Sequence, residues 1–484
     1  MQPDHGGTSM IYDATQPQPN PVFSNTHASS FLHELTDGGS SHHNLSMKRS
    51  VVSDEDQGKG KWRRILDSEQ RPRSYPEPRP SHSSSHQQRD GNSRAHSSHR
   101  PVKQRTFAVR PTSSFSGNFP YFKKPQEIGH FSLKVDRSFA NDASRLKFFH
   151  PPKDRYGLNF DLRKGYEIFV KRDETIKDRL NNLLKWILSN KKVFLRPENA
   201  MGVSYGESEK DDLIESLGVD FLAWRGHFTK FLCTAYENRE GWEMAATLFR
   251  GTIYISEVET EQEKQRRLGM NYWEKMCTYG GYKFEQYVTS VDGKKSPDTS
   301  QPVNNLDAYC SVVRSQLCHH KLLYGGEVDC CEPKSQLKPP ENYVELKTSR
   351  QWYTPKNKSS FHRFKLVRWW AQSFLVGIPK VVCGFRTDDG VVEELKDFKT
   401  AEMPGLSMGG WDGSICFNLF EKLLTFIKTV AVIDDPSVVY LLERKPGDSM
   451  ISYTVHQGAE HRFLPEWYTS QFLPELRPVI TETT

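Results

Sequence analysis

The sequence has no long apolar run, and this absence limits the classes of protein to which it can belong. No stretch of roughly 18 apolar residues occurs, whereas a membrane-spanning helix needs about 20. Even the segment 366–385 is interrupted by Arg368, Gln372 and Lys380. The first residues also lack a basic start followed by an apolar run, the pattern of a secretory signal. We therefore expect a soluble protein without a membrane partner.

Cysteine is sparse and shows no paired spacing. The eight cysteines are scattered through apolar segments, which argues against a disulfide framework and indicates a reducing compartment. Cys318-His319-His320 together with Cys330-Cys331 resembles a metal-binding set, but the spacing fits no standard zinc pattern. Buried thiols that act as small hydrophobic groups are the preferred interpretation.

Charge of either sign shows little excess, with a net charge of +6 over 484 residues, which does not by itself indicate nucleic-acid binding. Residues 1–105 are rich in Ser, His, Gln, Pro and Arg, without apolar periodicity, and predict a disordered tail. Basic residues at 48–49 and 59–64 resemble a two-part nuclear import signal, which predicts a nuclear protein. Residues 106–475 are apolar enough for one large domain, and 476–484 are expected to be a flexible C-terminus.

Two short acidic steps carry the chemical signal of the chain. Glu327 and Asp329 are separated by one residue, as are Glu345 and Lys347, and both steps lie in apolar, strand-like context. Alternate residues of a strand point to the same face, so each pair shares a face. Three carboxylates and one ammonium then converge, and such a cluster repels itself unless divalent cations neutralise it. The pattern indicates a metal-dependent nuclease.

An exposed cross-strand charge pair is the ordinary alternative for Glu345 and Lys347 taken alone. The upstream acids argue against it, because like charges on adjacent strands destabilise a solvated surface. The connection 331–342 contains Pro and Ser and is consistent with a hairpin-like return between the two strands. A shared metal site therefore explains the two strands better.

Helical and strand-like patterns alternate through the apolar part of the chain. Apolar residues recur at helical spacing over 174–190, whereas segments rich in Thr, Tyr and Phe predict strands at 228–234 and 247–258. The other predicted helices are 260–278, 359–376 and 414–430, and the other predicted strands are 379–386, 437–443 and 449–456. This mixture predicts a mixed α/β (α+β) domain with a central mixed β-sheet flanked by helices.

Further motifs accompany the acidic steps across residues 115–470. In chain order they are Phe119-Pro-x-Phe, Ile128-Gly-x-Phe-Ser-Leu, Trp224-Arg-Gly-His, Gly-Tyr-Lys-Phe-Glu-Gln ending at Gln286, Gly326-Glu-Val-Asp, Tyr343-Val-Glu-Leu-Lys-Thr and Trp369-Trp-Ala-Gln-Ser-Phe. Together, in this order and spacing, they resemble the DXO family of eukaryotic decapping exoribonucleases. The resemblance implies a core related to the PD-(D/E)XK nuclease fold.

The resemblance also implies an enzyme that acts on RNA 5′ ends in RNA quality control. Members of the family remove unmethylated or incomplete caps and NAD-type caps, release pyrophosphate from 5′-triphosphate RNA, and degrade 5′-monophosphate RNA from 5′ to 3′. The implied partners are RNA 5′ ends and a partner 5′–3′ exonuclease. The alternative is a catalytically weak scaffold that binds RNA or stabilises such an exonuclease. A DNA endonuclease fits the acids but not the flanking motifs.

Particular positions of this chain match the metal site and the catalytic residues of the family. Hard oxygen ligands of this kind suit Mg²⁺ or Mn²⁺, and the resemblance implies two ions. The implied metal ligands are Glu285, Glu327, Asp329, Glu345 and the Leu346 carbonyl, and the implied catalytic residues are Glu327, Lys347 and Gln372.

Contacts to substrate are also implied by the resemblance, with one departure from the family pattern. Asp178 stands where the family carries Glu, and its shorter side chain puts contact with a ribose or base in doubt. Without the resemblance, Arg225 on a Trp-flanked strand is more often a structural ion-pair partner, and Trp369 and Trp370 are expected to pack in the core rather than stack on bases. The implied substrate-binding residues are Arg137, Asp178, Trp224, Arg225, Gly226, Cys310, Glu327, Lys347 and Gln372.

Overall fold

Two β-sheets share one hydrophobic core. The computed structural model describes residues 105–194 and 213–472, all within one compact unit. The predicted tail 1–105, apart from its last residue, and the predicted C-terminus 476–484 lie outside the described residues.

The strands and helices of the described residues alternate along the chain. The strands are β1 Phe107–Ala108, β2 Phe122–Leu133, β3 Phe139–Ala140, β4 Phe148–Phe149, β5 Tyr156–Asp161, β6 Phe221–Trp224, β7 Trp242–Phe249, β8 Thr252–Val258, β9 Thr289–Ser290, β10 Ala308–Leu317, β11 His320–Glu327, β12 Cys330–Cys331, β13 Tyr343–Arg350, β14 Lys380–Arg386, β15 Val391–Lys399, β16 Val438–Arg444 and β17 Met450–Gln457. The helices are α1 Asn181–Ser189, α2 Arg225–Cys233, α3 Glu261–Leu268, α4 Tyr272–Val288, α5 Pro355–Ser360, α6 Leu366–Val376, α7 Met403–Leu406, α8 Gly413–Val430 and α9 Glu466–Thr469, with a π-helical turn at Phe361–Lys365 between α5 and α6.

Both sheets are mixed, as predicted. The larger sheet has ten strands in the order β1-β17-β16-β7-β8-β6-β11-β10-β2-β3, and the smaller has seven in the order β5-β15-β14-β13-β12-β4-β9. Strand β6 runs parallel to β8 and β11, and β13 runs parallel to β14. Most other pairs are antiparallel, including the β10–β11 hairpin. The predicted mixed α/β fold class is therefore confirmed.

The chain crosses from one sheet to the other between the two acids of the first acidic step. Strand β11 of the larger sheet ends at Glu327, and β12 of the smaller sheet begins at Cys330. Between them, the Val328 backbone N–H donates to the Tyr309 carbonyl at 3.0 Å. Glu327 and Asp329 therefore lie at the junction of the sheets, and the prediction of one continuous strand is wrong.

The main hydrophobic core contains residues of both sheets together with three helices. Phe228 of α2, Trp369 of α6 and Phe420 of α8 are all fully buried in it. Trp370 is also buried, at 2% exposure. The expectation that the two tryptophans pack in the core is therefore confirmed.

The predicted strand at 228–234 is wrong, because these residues form most of helix α2. Phe228, Phe231 and Leu232 are buried at helical spacing, which places them together on one face against the core. The β-branched and aromatic residues that favoured a strand here are therefore used in helix packing.

The predicted strand 247–258 is two antiparallel strands joined by a tight turn. Arg250 and Gly251 both have positive φ, 53° and 74°, as a two-residue type I′ hairpin requires. Arginine at a position that favours Gly or Asn concealed this turn from sequence patterns.

Two predicted helices have different bounds. Residues 174–180 lie in turns and irregular structure, and α1 begins only at Asn181. The predicted helix 260–278 is two helices separated at Gly269, and the second continues to Val288. The remaining predicted helices and strands agree with α5 to α6, α8, β14, β16 and β17.

Two expectations from composition can be compared with the described residues. No helix among them combines the length and apolar character needed to cross a bilayer. The eight cysteines are all free thiols, and six are buried, with Cys277 and Cys318 partly exposed. Most of these thiols therefore pack as small hydrophobic groups, as expected.

Candidate active site

The acids of the site come from four different parts of the fold. Glu345 lies on β13 of the smaller sheet, Glu327 ends β11 of the larger sheet, and Asp329 lies in the link between the sheets. Glu285 projects from the last turn of α4. The charges of Glu345 and Glu285 both act on Asp329, and the charge of Glu327 acts on Glu285. The predicted convergence of the acids is thus present.

Strand β13 presents its charged residues on one face. Glu345 and Lys347 are 2% and 7% exposed, and Lys347 Nζ lies 2.9 Å from Glu345 Oε1. Leu346 points to the opposite face and packs in a hydrophobic cluster with Phe284. The alternation predicted from the sequence is therefore correct, and an exposed charge pair is not what these two residues form.

A capping box and an apolar contact set the direction of α4. The Asn271 side chain accepts the backbone N–H of Glu274, whose carboxylate accepts the N–H of Asn271. Near the other end of the helix, buried Phe284 packs in the same hydrophobic cluster as Leu346. The next residue, Glu285, is thereby directed toward the acids on the other elements.

Burial and mutual repulsion make the carboxylates hard to ionise together. Burial raises the pKa of Asp329 well above its ordinary range, and the charges of Glu345 and Glu285 raise it further. Burial also raises the pKa of Glu285 to about 7, although Lys147 opposes the shift. A divalent cation would remove this penalty, because it favours the ionised form of every carboxylate around it.

The donor atoms of the cluster fit a hard divalent ion. The available groups are carboxylate oxygens and a strand carbonyl, the ligand types that Mg²⁺ and Mn²⁺ prefer. The Leu346 backbone N–H donates to Asp329 Oδ2 at 2.6 Å, which holds β13 beside the link between the sheets. Gln372 Oε1, on α6, is buried and accepts no hydrogen bond from the described residues.

Arg225 begins helix α2 rather than lying on a strand, so the strand interpretation of this position is wrong. The side chain is 5% exposed, Nη1 lies 3.7 Å from Glu345 Oε1, and Nη2 donates to the Glu327 carbonyl at 3.2 Å. Gly326 permits this approach, because a Cβ there would lie 3.3 Å from Arg225 Cβ. Gly226 follows in the first turn of α2, whose N-terminus favours anions.

A cleft next to the acids holds most of the remaining predicted substrate residues. Arg137, Trp224, Cys310 and Glu327 all line it. Cys310 lies opposite Glu327 in the β10–β11 register, and burial raises the pKa of its thiol so that it stays protonated. Glu327 therefore belongs both to the group of acids and to the lining of this cleft.

Asp178 lies beside this cleft and binds two arginines. It accepts hydrogen bonds from Arg137 and from Arg172 Nη2, the latter at 2.9 Å. Arg137 Nη1 also donates to the Leu306 carbonyl at 2.7 Å. The shorter carboxylate thus serves as the shared anchor of two cations.

Three residues of the site had no signal in the sequence patterns. Lys147 Nζ lies 3.9 Å from Glu285 Oε2, and Arg172 and Asp307 line the cleft. Burial lowers the pKa of Lys147, but the charges of Glu285, Asp307 and the other acids outweigh burial, and the net shift is upward. Each residue belongs to a segment without a motif, so only the fold reveals its position.

Comparison with known proteins shows which family the chain resembles. Residues 123–469 match the family model described as RAI1 like PD-(D/E)XK nuclease. The mouse decapping and exoribonuclease protein is 42% identical over 373 residues, which is 76% of this chain and 90% of the relative. The decapping nuclease RAI1 of Neurospora crassa is 34% identical, covering 71% of this chain and 81% of the relative.

Solved structures agree with this placement. The S. pombe Rai1 structure in complex with 3′-FADP has a TM-score of 0.56 at 27% identity and covers 73% of this chain and 99% of that one. The Scheffersomyces stipitis Rai1 structure in complex with (3′-NADP)⁺ and calcium ion has a TM-score of 0.63 at 22% identity, covers 76% of this chain and 99% of that one, and supports the fold alone. The resemblance drawn from the sequence motifs is confirmed, and the chain belongs to the family of RAI1-like PD-(D/E)XK nucleases.

Proposed function

We propose that this protein is a metal-dependent hydrolase that removes aberrant caps from RNA 5′ ends and degrades the exposed RNA from 5′ to 3′. The observation that carries the proposal is the group of four carboxylates, one buried and three half-buried, beside Lys347 and Arg225 and next to a cleft that Glu327 lines. Relatives named as decapping and exoribonuclease proteins match about nine tenths of their own length to this chain. The proposed metal is Mg²⁺ or Mn²⁺, as two ions.

Different residues of the site have different roles in the proposed reaction. Divalent ions, when bound, supply Lewis-acid chemistry that offsets the negative charge developing on the phosphoryl oxygens. Lys347, held by Glu345 at 2.9 Å, places an ammonium where it stabilises an anionic nucleophile or a phosphoryl oxygen. Glu327 positions the attacking water, and the Gln372 amide donates to the same region.

The substrate-binding roles follow from charge and position. Arg225 and the N-terminus of α2 hold the 5′ phosphate, because a guanidinium and backbone N–H groups both bind phosphate oxygens. Arg137 and Arg172, anchored on Asp178, extend the cationic surface along the cleft. A cleft of this kind accepts the 5′ group of RNA, and we include NAD-type caps and 5′-triphosphates among its substrates.

The decisive experiment compares four RNAs with 5′-monophosphate, 5′-triphosphate, unmethylated-cap and NAD-capped ends, each with Mg²⁺, Mn²⁺ or chelator. We expect metal-dependent products from the wild type and a loss of more than about 1000-fold in rate for the double variant Asp329→Ala, Glu345→Ala. Substitution of the exposed acids in Asp298→Ala, Glu460→Ala is the matched control and should leave the rates unchanged.

Equal rates for the wild type and the Asp329→Ala, Glu345→Ala variant would overturn the catalytic proposal and favour the scaffold alternative. If the wild type were inactive on NAD-capped RNA alone, that RNA would be excluded as a substrate and the proposal would stand for the other three. The unfolding midpoint of each variant, measured by circular dichroism, separates loss of chemistry from loss of fold.

We also propose that the protein works in the nucleus and binds a 5′–3′ exonuclease. The basic residues at 48–49 and 59–64, outside the described residues, support nuclear import. Imaging of the full chain and of a chain lacking 1–105 tests this, and an unchanged distribution would exclude the tail as the signal. Co-purification with a candidate exonuclease, with and without RNA digestion, tests the partner.

A further inference from the structure

The β10–β11 hairpin carries a second group of metal-ligating side chains at the end opposite the active site. At one end, Cys310 pairs with Glu327 in the register, and at the other Leu317 pairs with His320. The two ends are separated by seven residue steps, or roughly 23 Å along a strand. Groups at the turn of the hairpin are therefore remote from the proposed chemistry.

At this turn, two consecutive histidines meet a glutamate from helix α8. His319, His320 and Glu421 each offer one ligand atom, and the three atoms lie within 4.8 Å of one another. His320 Nε2 lies 3.8 Å from Glu421 Oε1, and the two imidazole ring centroids are 3.9 Å apart. A tetrahedral ion with bonds of about 2.0–2.1 Å places its ligand atoms about 3.4 Å apart. The ligand atoms would therefore have to approach one another by up to about 1.4 Å to hold such an ion.

The surroundings of His320 limit the repulsion that a cation would meet. The side chain is fully buried, and the nearby Lys428 is paired with Asp220 at 2.5 Å. This pairing offsets the positive charge of Lys428. A neutral imidazole is the form that coordinates metals.

A neighbouring hydroxyl and the solvent complete the surroundings of the group. Thr425 Oγ1 lies 3.0 Å from His320 Nε2 and donates to Glu421 Oε1 at 3.1 Å. Glu421 and Thr425 are one helical turn apart on α8, so the helix presents both to the hairpin. His319 is exposed, which gives an ion access from solvent. The group is thus buried on one side and open on the other.

We propose that His319, His320 and Glu421 form a second metal site that binds Zn²⁺ and ties the β10–β11 hairpin to α8. Two imidazoles and one carboxylate suit zinc, whereas the all-oxygen active-site cluster suits Mg²⁺ or Mn²⁺. Water completes the fourth position. The spacing of cysteines and histidines in the sequence did not predict this site, because the third ligand comes from a helix much later in the chain.

The test measures zinc bound by the full chain in equilibrium dialysis, with elemental analysis, for matched variants. The wild type should hold about one more Zn²⁺ per chain than the double variant His319→Ala, Glu421→Gln. His456→Ala, His461→Ala is the control, because it removes two histidines whose rings also lie together, 4.8 Å apart. Zinc bound at the active-site acids or by histidines outside these two pairs is common to all three proteins and cancels in the comparison.

Two further measurements make the outcome definite. Bound Co²⁺ should show the intense visible absorption of a tetrahedral site in the wild type and the control, and lose it in Glu421→Gln alone, which keeps side-chain shape. Zinc at a hundredfold excess over its Kd should raise the unfolding midpoint by about 3–5 °C more in the wild type and the control than in Glu421→Gln. Equal zinc content in the wild type and both folded Glu421 variants, or an equal loss in the control, would overturn the proposal.

Discussion

At the scale of single residues, the role of Asp178 depends on its partners. The carboxylate is shared by Arg137 and Arg172, and hydrogen bonds between charged groups are about twice as strong as neutral ones. Asp178 therefore holds in place two arginines that line the cleft.

We expect Asp178→Asn to raise the KM for 5′-monophosphate RNA about tenfold and to change kcat much less. The amide keeps the shape but loses the charge that holds both guanidiniums, which corresponds to about 1–2 kcal/mol of binding free energy. Steady-state kinetics measure both constants. The matched control is Asp173→Asn on the same loop, where the acid is exposed and accepts hydrogen bonds from the backbone N–H and the hydroxyl of Thr175. An unchanged KM would contradict the role of Asp178.

Gln372 gives a second prediction at this scale. Its Oε1 is buried and accepts no hydrogen bond from the described residues, so the amide costs free energy in the fold unless it acts on substrate. We expect Gln372→Leu to lower kcat on the order of 100-fold while the free energy of unfolding stays equal or rises. Single-turnover rates and urea denaturation test the two halves. A fall in stability with unchanged kcat would assign the residue to the fold alone.

At the scale of secondary-structure elements, the site depends on the contact of α4 with the smaller sheet. Gly384 of β14 lies against Phe284, and a Cβ added at the glycine would stand 2.6 Å from Phe284 Cε2. The residue after Phe284 is the proposed metal ligand Glu285. A close packing contact therefore sets the position of a ligand on the neighbouring helix.

We expect Gly384→Ala to reduce the free energy of unfolding by about 1–3 kcal/mol, because overpacking forces the ring or the helix to move. The displaced Glu285 should also raise the metal concentration needed for half-maximal activity several-fold. Gly405→Ala is the control, since nothing lies within 4 Å of the position a Cβ would take there. Urea denaturation and metal titration of activity measure the two effects. If Gly384→Ala matched the wild type in both measurements, α4 would tolerate the added methyl group, and this contact would not set the position of Glu285.

At the scale of the whole molecule, the pH dependence of stability has an identifiable contributor outside the active site. Glu257 of β8 is fully buried and forms an ion pair with Lys230. Lys230 Nζ also lies 3.0 Å from Glu263 Oε1. Burial raises the pKa of Glu257 to about 7, although Lys230 lowers it. The folded state thus binds this proton more tightly than the unfolded state, whose carboxyl has an ordinary pKa near 4.5.

The stabilising contribution of protonated Glu257 is complete below about pH 4.5 and is lost as the pH rises through about 7. We expect the free energy of unfolding of Glu257→Gln, relative to wild type, to increase by about 3 kcal/mol over this range. Urea denaturation of both proteins, with chelator present, measures this difference at several pH values. The active-site acids are the same in both proteins, so their contribution to the free energy of unfolding cancels. The exposed control Glu402→Gln should show no such trend. A flat difference for Glu257→Gln would refute the assignment.

Much of the site was predictable because its patterns are local. The period of two along a strand placed Glu345 and Lys347 on one face, and their contact at 2.9 Å bears this out. Trp369 and Trp370 are buried, as expected. Strand propensity failed at α2, where tertiary packing overrode the preference of its aromatic residues, and at Arg250, the first turn residue, which is neither Gly nor Asn.

By itself, then, the sequence determined the mixed fold class, the family, and which acids lie together, since these follow from composition, order of motifs and backbone periodicity. Only the tertiary structure decided that Glu327 and Asp329 lie on either side of a junction between two sheets, and that Arg225 begins a helix facing Glu345. The same holds for Lys147 beside Glu285 and for Glu421 beside His320. The physical reason is that local patterns extend over a few residues of one backbone. The meeting of distant segments depends on strand order, which the burial of the whole core selects.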